Sequence, residues 1–264
     1  MRTAFLKMHG LGNDFAIFDA REAEIPMPAE RVRLLADRRF GIGCDQLIRL
    51  EPSPNADVFM RIYNPDGSES GACGNATRCV AALLGGNARI ETAAGILTAT
   101  QAGQGIAVDM GAPRFDWAEI PLAYAMDTRE MPLGWGELER PTAVSMGNPH
   151  AVFFVPDTDS VPLETLGPEI EHDPIFPERV NVNLASVVSR AHIRLRVWER
   201  GAGLTMACGS GACATFAAAR RRGLVEPAAT VSLPGGDLLI AETSAGTLSM
   251  TGAVATSFSG ETPL

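Results

Sequence analysis

The chain has 264 residues, 46% of them hydrophobic and 20% charged, with a formal net charge of −9. That composition describes a globular protein long enough for two domains with separate cores. It argues against a phosphate-neutralising surface, so nucleic acid is not expected as a partner. No apolar run is long enough to span a bilayer, and the opening Met1-Arg2-Thr3-Ala4-Phe5-Leu6-Lys7 turns polar too early for a signal-peptide core. No membrane association and a cytoplasmic location are therefore expected. An odd set of five cysteines (Cys44, Cys73, Cys79, Cys208 and Cys213) does not read as a disulfide framework.

In chain order, residues 29–38 form an amphipathic helix pattern and 58–63 a strand. Residues 75–84 form a helix of nearly all apolar small residues, and 95–100 with 106–110 a hairpin. The Pro- and Gly-containing stretch 111–121 is the best linker candidate. Residues 193–198 alternate with period two, 210–222 repeat the small-residue helix, and 230–233, 238–242 and 247–250 repeat the hairpin pattern. A last strand, near 252–258, is expected to return to the first half.

These elements come in pairs. Ala72-Cys73-Gly74-Asn75 and Ala207-Cys208-Gly209-Ser210 are near-copies, separated by 135 residues (73 to 208). The same offset carries Asn13 onto Asn148, Gln46 onto Asn181, Asn64 onto Glu199, and Glu91, Ala93 and Ala94 onto Glu226, Ala228 and Ala229. The register then slips, so that 106–111 resembles 247–252 at offset 141 (106 to 247). A constant offset held by polar and cysteine positions signals duplication of a whole domain rather than a solenoid.

Each Cys-Gly pair opens a helix, where unpaired backbone N–H groups and the positive end of the dipole gather. Such a place should lower a thiol pKa and can hold a carboxylate beside the sulfur. Cys44, Cys79 and Cys213 read as inert packing residues. There is no Cys-x-x-Cys pair, no phosphate loop, and no ligand spacing among His9, His150, His172 and His192, so no metal site is expected.

The motifs Met8-His9-Gly10-Leu11-Gly12-Asn13-Asp14-Phe15, Tyr63-Asn64-Pro65-Asp66-Gly67-Ser68, Cys73-Gly74-Asn75 with Arg78-Cys79, Met146-Gly147-Asn148-Pro149-His150, Glu178-Arg179-Val180-Asn181-Val182 and Glu199-Arg200-Gly201-Ala202-Gly203 before Cys208-Gly209-Ser210-Gly211 stand in one order along nearly the whole chain. In that order they resemble the diaminopimelate epimerases. Ala76 departs from the glycine usual in that family. The resemblance implies an α/β fold of two similar domains with pseudo-twofold symmetry, each a curved, largely antiparallel sheet wrapped around a central helix. It implies half-domains at 1–116, joined by 252–264, and at 117–251. It implies interconversion of LL- and meso-2,6-diaminopimelate on the route to lysine and peptidoglycan, without cofactor, in a homodimer. By resemblance, Cys73 is the base and Cys208 the acid for the LL-to-meso direction. Asn13, Gln46, Asn64, Gly74, Asn75, Asn148, Asn181, Glu199, Arg200, Gly209 and Ser210 bind substrate, with Arg200 on its distal carboxylate. His150 and Glu199 tune the cysteine pKa values.

Overall fold

The computed structural model describes residues 2–103 and 105–263. The chain divides into two compact units, one running to Asp109 and resuming at Thr251, the other spanning Met110–Met250. Both are mostly strand. Among the described residues no helix is long and apolar enough to cross a membrane.

In the first unit Arg2–Gly10 pairs antiparallel with Asn13–Asp19, which runs parallel to Gln46–Glu51. Gln46–Glu51 pairs antiparallel with Val58–Tyr63, which pairs antiparallel with the short Glu69–Ser70 and parallel with Ala88–Thr92. Gly95–Ala102 and Gly105–Asp109 complete an antiparallel meander. The C-terminal strand Ala255–Pro263 closes onto Arg2–Gly10, from Arg2 opposite Pro263 to His9 opposite Ala255. Helix α1, Ala29–Ala36, turns Val32, Leu35 and Ala36 into a core with Phe18, Leu47 and Tyr63. Helix α2, Gly74–Leu83, packs against four strands of its own sheet, 2–10, 88–92, 95–102 and 105–109.

The second unit repeats the plan. Thr142–Ser145 pairs antiparallel with Pro149–Phe154, which runs parallel to Asn181–Ser189; that strand pairs antiparallel with His192–Glu199. His192–Glu199 runs parallel to Ala228–Leu233, which turns back antiparallel into Gly236–Glu242. Helix α3, Leu163–Glu171, covers one face with Phe153, Phe176 and Leu184. Helix α4, Gly209–Arg221, lies among six strands of the unit. Its Ala212, Cys213, Ala214, Ala217, Ala218 and Ala219 are at most 3% exposed, so small side chains let strands approach it from several sides.

Strand register corrects one part of the repeat. Phe15 faces Gln46 as His150 faces Asn181, so the 135-residue offset holds there. Beyond the helices, Val58 faces Ile90 whereas Ile193 faces Val231, an offset of 141 (90 to 231). The slip thus precedes Glu91, and the identities at Glu226, Ala228 and Ala229 do not mark equivalent places. Counted to the matched positions Ile90 and Val231, the second unit holds six more residues after its cysteine. α4 takes three of them, with 13 residues against 10 in α2.

Two further expectations change. Residues 111–121 are packed rather than linking: Arg114 bridges to Ser145 and Ile120 is fully buried in the second unit's core. Burial of the apolar side chains there outweighs the local Pro and Gly signal. Helix α3 was not foreseen, because Gly167 and Pro168 lie inside it.

The loop leaving α1 depends on Gly41. A Cβ there would lie 2.0 Å from the Leu34 carbonyl oxygen and 2.6 Å from that of Leu35. The loop meanwhile returns Ile42 and Gly43 N–H to Leu35 O and Cys44 N–H to Ala36 O. Gly41→Ala should lower unfolding free energy by about 1–3 kcal/mol, the usual cost of overpacking. Urea denaturation of the two proteins checks this; an unchanged midpoint would show that the loop relaxes freely.

Candidate active site

In the first unit Cys73 caps α2. Its backbone is extended, its carbonyl accepts from Thr77 N–H, and its sulfur is half-buried. The parallel pairing of 13–19 with 46–51 carries Asn13 and Gln46 to the same end of the sheet. Asn13 Oδ1 lies 4.0 Å from Cys73 Sγ and accepts from Asn75 Nδ2 at 3.0 Å. Gln46 Nε2 donates to Asn64 Oδ1 at 3.0 Å, and Asn64 Nδ2 to Ser68 Oγ at 3.1 Å. The fold therefore gathers Asn13, Cys73, Gly74 and Asn75 into one cluster and Gln46 with Asn64 into a second pair.

The second unit builds the counterpart around Cys208, the cap of α4, which is 3% exposed. Gly211 N–H donates to Cys208 Sγ at 3.4 Å, and Ser210 Oγ lies 3.7 Å from the sulfur. Gly211 is required here: a Cβ would stand 2.8 Å from Asn183 Oδ1 and 3.1 Å from the sulfur. At the matching place in α2, Ala76 carries its methyl into the core at 0% exposure, and Ile48 replaces Asn183. Asn148 Nδ2 donates to Ser210 Oγ at 3.3 Å, as Asn75 and Asn13 pair in the other unit. His150 Nε2 meets Asn148 Oδ1 at 3.1 Å and His150 Nδ1 meets Asn183 Nδ2 at 3.1 Å.

The remaining named residues line the strand end beside this cluster. Asn181 makes two bonds inside the unit: it donates to Pro149 O at 2.8 Å and accepts the Arg200 N–H at 3.0 Å. The Arg200 side chain is exposed and donates to Glu178 O at 2.7 Å. Glu199 accepts from Thr205 Oγ1 at 2.5 Å. Glu171, unread in the sequence, fastens this segment from beneath. It is 3% exposed and accepts from Trp198 Nε1 at 2.8 Å and from Gly201 N–H at 3.0 Å.

Electrostatics separate the groups. Burial pushes the Cys208 thiol well above its ordinary range, and the Glu199 carboxylate pushes the same way; the helix-end N–H of Gly211 opposes them and loses. At Cys208 burial thus works against the lowering expected from the helix dipole and favours the protonated thiol. Burial also raises Cys44 to about 11 and Cys79 to about 12, which suits inert packing. His150, fully buried, is pushed down to about 3 and is neutral at physiological pH. In the first unit, burial alone would raise the Asp14 carboxyl, but Arg38 and Lys7 hold it well below the usual carboxylate range.

Each unit thus presents a thiol at a helix start, beside the Asn13 amide in the first and the Gly211 N–H in the second; such a thiol can exchange a proton with a carbon acid, and such a helix end can hold a carboxylate. Sequence reasoning missed Asp45, Asn183 and Glu171, which act on the named residues through hydrogen bonds. A signal existed for Asn183 alone: a polar residue in the otherwise apolar run 182–185.

The family model for diaminopimelate epimerase matches residues 5–115 and 142–256. The chain is 60% identical to a diaminopimelate epimerase of Rhizorhabdus wittichii, covering 100% of this chain and 97% of that one. It is 55% identical to one of Zymomonas mobilis, covering 99% and 97%. Among solved structures it is similar to a Bacillus anthracis phenazine biosynthesis protein of the PhzF family, with TM-score 0.72, 17% identity and full coverage of both chains. It is also similar to a hydroxyproline epimerase from Agrobacterium vitis, with TM-score 0.69 and 18% identity over 98% and 92% of the two chains. The distant structures share the fold alone. The near relatives and the family model, which spans most of the sequence, show the family: the chain belongs to the diaminopimelate epimerases.

Proposed function

We propose that this protein interconverts LL- and meso-2,6-diaminopimelate by proton transfer at one α-carbon, with Cys73 and Cys208 as the two acid–base groups. The observation that carries the reading is the repeat itself: two topologically matching units each end a strand–loop at a cysteine that caps a buried helix. In the LL-to-meso direction the Cys73 thiolate takes the α-proton, and the Cys208 thiol delivers its proton to the opposite face of the carbanion. The reprotonated carbon has inverted configuration, and the thiolate now sits on Cys208. The buried, protonated state of Cys208 suits the acid in this direction.

The developing enediolate needs stabilisation, and backbone N–H groups of Gly74, Asn75, Gly209 and Ser210 at two helix starts are suited to it. One preorganised donor is typically worth about 3 kcal/mol. Asn13, Gln46, Asn64, Asn148, Asn181 and Glu199 belong to the proposed binding surface, with Arg200 as a planar fork for the distal carboxylate. His150 and Glu199 are assigned to the protonation balance of the thiols. The proposal also takes two half-domains, at 1–116 with 252–264 and at 117–251, except that residues 110–116 pack with the second, a cofactor-independent reaction, a cytoplasmic homodimer, and no membrane or nucleic-acid partner.

Turnover of LL-diaminopimelate and of L-proline by the same preparation tests the substrate assignment. Epimerisation of diaminopimelate with none of proline is expected; proline racemisation alone would overturn it.

A further inference from the structure

We infer that Asp45 is a positioning residue that fixes which end of the Asn13 amide faces Cys73, an inference that rests on the role proposed for Cys73. An ionised carboxylate can only accept hydrogen bonds. Asp45 Oδ2 meets Asn13 at 2.9 Å, so the end of the amide that meets it is the amino group. The carbonyl oxygen is thereby left for Asn75 Nδ2 and for Cys73 Sγ.

Asp45 is itself held from three sides. Its Oδ2 also accepts the Asp14 N–H at 3.1 Å, its Oδ1 accepts from Arg38 Nη2 at 2.6 Å, and its own N–H donates to Asp14 Oδ1 at 2.9 Å. Lys7, 7% exposed, completes the cluster through Asp14 at 2.7 Å and the Gly43 carbonyl. Among the described residues, the charged and titratable groups facing Asn13 and Cys73 include Asp45, Asp14, Lys7 and Arg38, with the Cys79 thiol, which interacts with Cys73, and the Cys44 thiol beside Lys7 and Asp14. To them are added His9, whose Nδ1 accepts from Gly12 N–H, and Arg78, buried in α2.

The other unit gives the contrast. The position matching Asp45 is Val180, which is apolar and fully buried. There Asn148 is turned by His150 instead. Asn183 Nδ2 also reaches the carbonyls of Ala151 and Asn181 at 3.5 Å, which fixes its amino end and makes His150 Nδ1 the acceptor. His150 Nε2–H then occupies Asn148 Oδ1, leaving the Asn148 amino group for Ser210. Matched asparagines therefore present opposite ends to their cysteine helices: a carbonyl beside Cys73, an amino group beside Ser210. An acceptor at Cys73 holds a thiol proton or a substrate ammonium hydrogen; the flipped amide would instead donate to a thiolate or a carboxylate.

The test is a double-mutant cycle read on Cys73 by the pH dependence of its iodoacetamide alkylation, followed by peptide mass spectrometry on the full-length protein. Asp45→Asn frees the Asn13 amide to turn its amino group to the sulfur. The alkylation midpoint should move down by about half a pH unit or more, and kcat/KM for LL-diaminopimelate should fall by about tenfold. In the Asn13→Ala background the same substitution should leave the midpoint where Asn13→Ala alone puts it. An equal shift in both backgrounds would mean that Asp45 acts on the sulfur by charge alone, and no shift in either would mean that the amide is held by something else; both overturn the inference. Should Asp45→Asn fail to fold, Asp45→Ser, which removes the carboxylate that the Asn13 amino group meets, replaces it in the cycle. The alkylation readout stands apart from turnover, so inactivity of the unmodified protein on diaminopimelate would count against the proposed function and not against this assignment.

Discussion

Cys73→Ser and Cys208→Ser should each lower kcat by a factor on the order of 10³, within the range that a positioned acid or base supplies. Serine keeps the size and the ability to accept from the helix. At position 208 it can still take the Gly211 N–H that now ends on sulfur. It cannot form an alkoxide near neutrality, so it fails as a base, and it is a poor acid toward a carbanion. KM should change little, because the amides and Arg200 proposed to bind substrate are untouched. The double variant should be about as slow as either single one, since residues that act as a unit are not additive. Steady-state kinetics in both directions, with circular dichroism to confirm folding, check this. Full activity in either single variant would remove that cysteine from the mechanism.

Stability should fall as pH drops below the ordinary histidine range, by about 2 kcal/mol near pH 5 from His150 alone. The sign follows from proton counts. In the unfolded chain His150 titrates near its ordinary 6.5; in the folded chain burial holds it neutral down to about 3. Between those values the unfolded state binds the extra proton, so acid favours unfolding. Above pH 6.5 neither state is protonated and the effect vanishes; below about 3 both are and it saturates. The other half shows how to remove it, because Phe15 and Ile48 occupy the matching positions of His150 and Asn183. His150→Phe combined with Asn183→Ile should flatten the acid limb of a urea midpoint–pH curve between pH 6.5 and 5. A curve that keeps its slope would place the proton elsewhere. The same double variant should lose activity, since Asn148 loses the group that orients it.

Much of the candidate site was legible in the sequence because duplication prints its pattern twice. Cys73 with Cys208, and Asn13 with Asn148, stand at one offset since each pair occupies one place in one topology. The offset failed where chain length changed without changing topology: the longer α4 and its connection moved the following strand by six residues, and the identities at Glu226 and Ala228 were coincidence. α3 was hidden because Gly167 and Pro168 suppress the helical signal, while tertiary burial of Leu163 and Ile170 stabilises it anyway. At Cys208 the dipole can be read from the helix start, whereas the burial that opposes it depends on strands distant in sequence. Asp45 was illegible for the same reason, and so was the partner of Asn183, whose polar intrusion in an apolar strand was visible: each acts on a residue 32 or 33 positions away across a parallel strand pair.

The central claim is that a proton leaves one face of the α-carbon and a different, solvent-derived one arrives on the other. Incubating LL-diaminopimelate with the reduced enzyme in deuterium oxide and following the α-position by proton NMR and mass spectrometry measures that event. The account predicts that the meso product carries deuterium at the inverted centre from the earliest turnovers, while unreacted LL substrate lags behind in label, because the returning proton comes from the second thiol. Product formed with its original α-hydrogen retained, or no exchange at all by the folded, reduced protein, would contradict it.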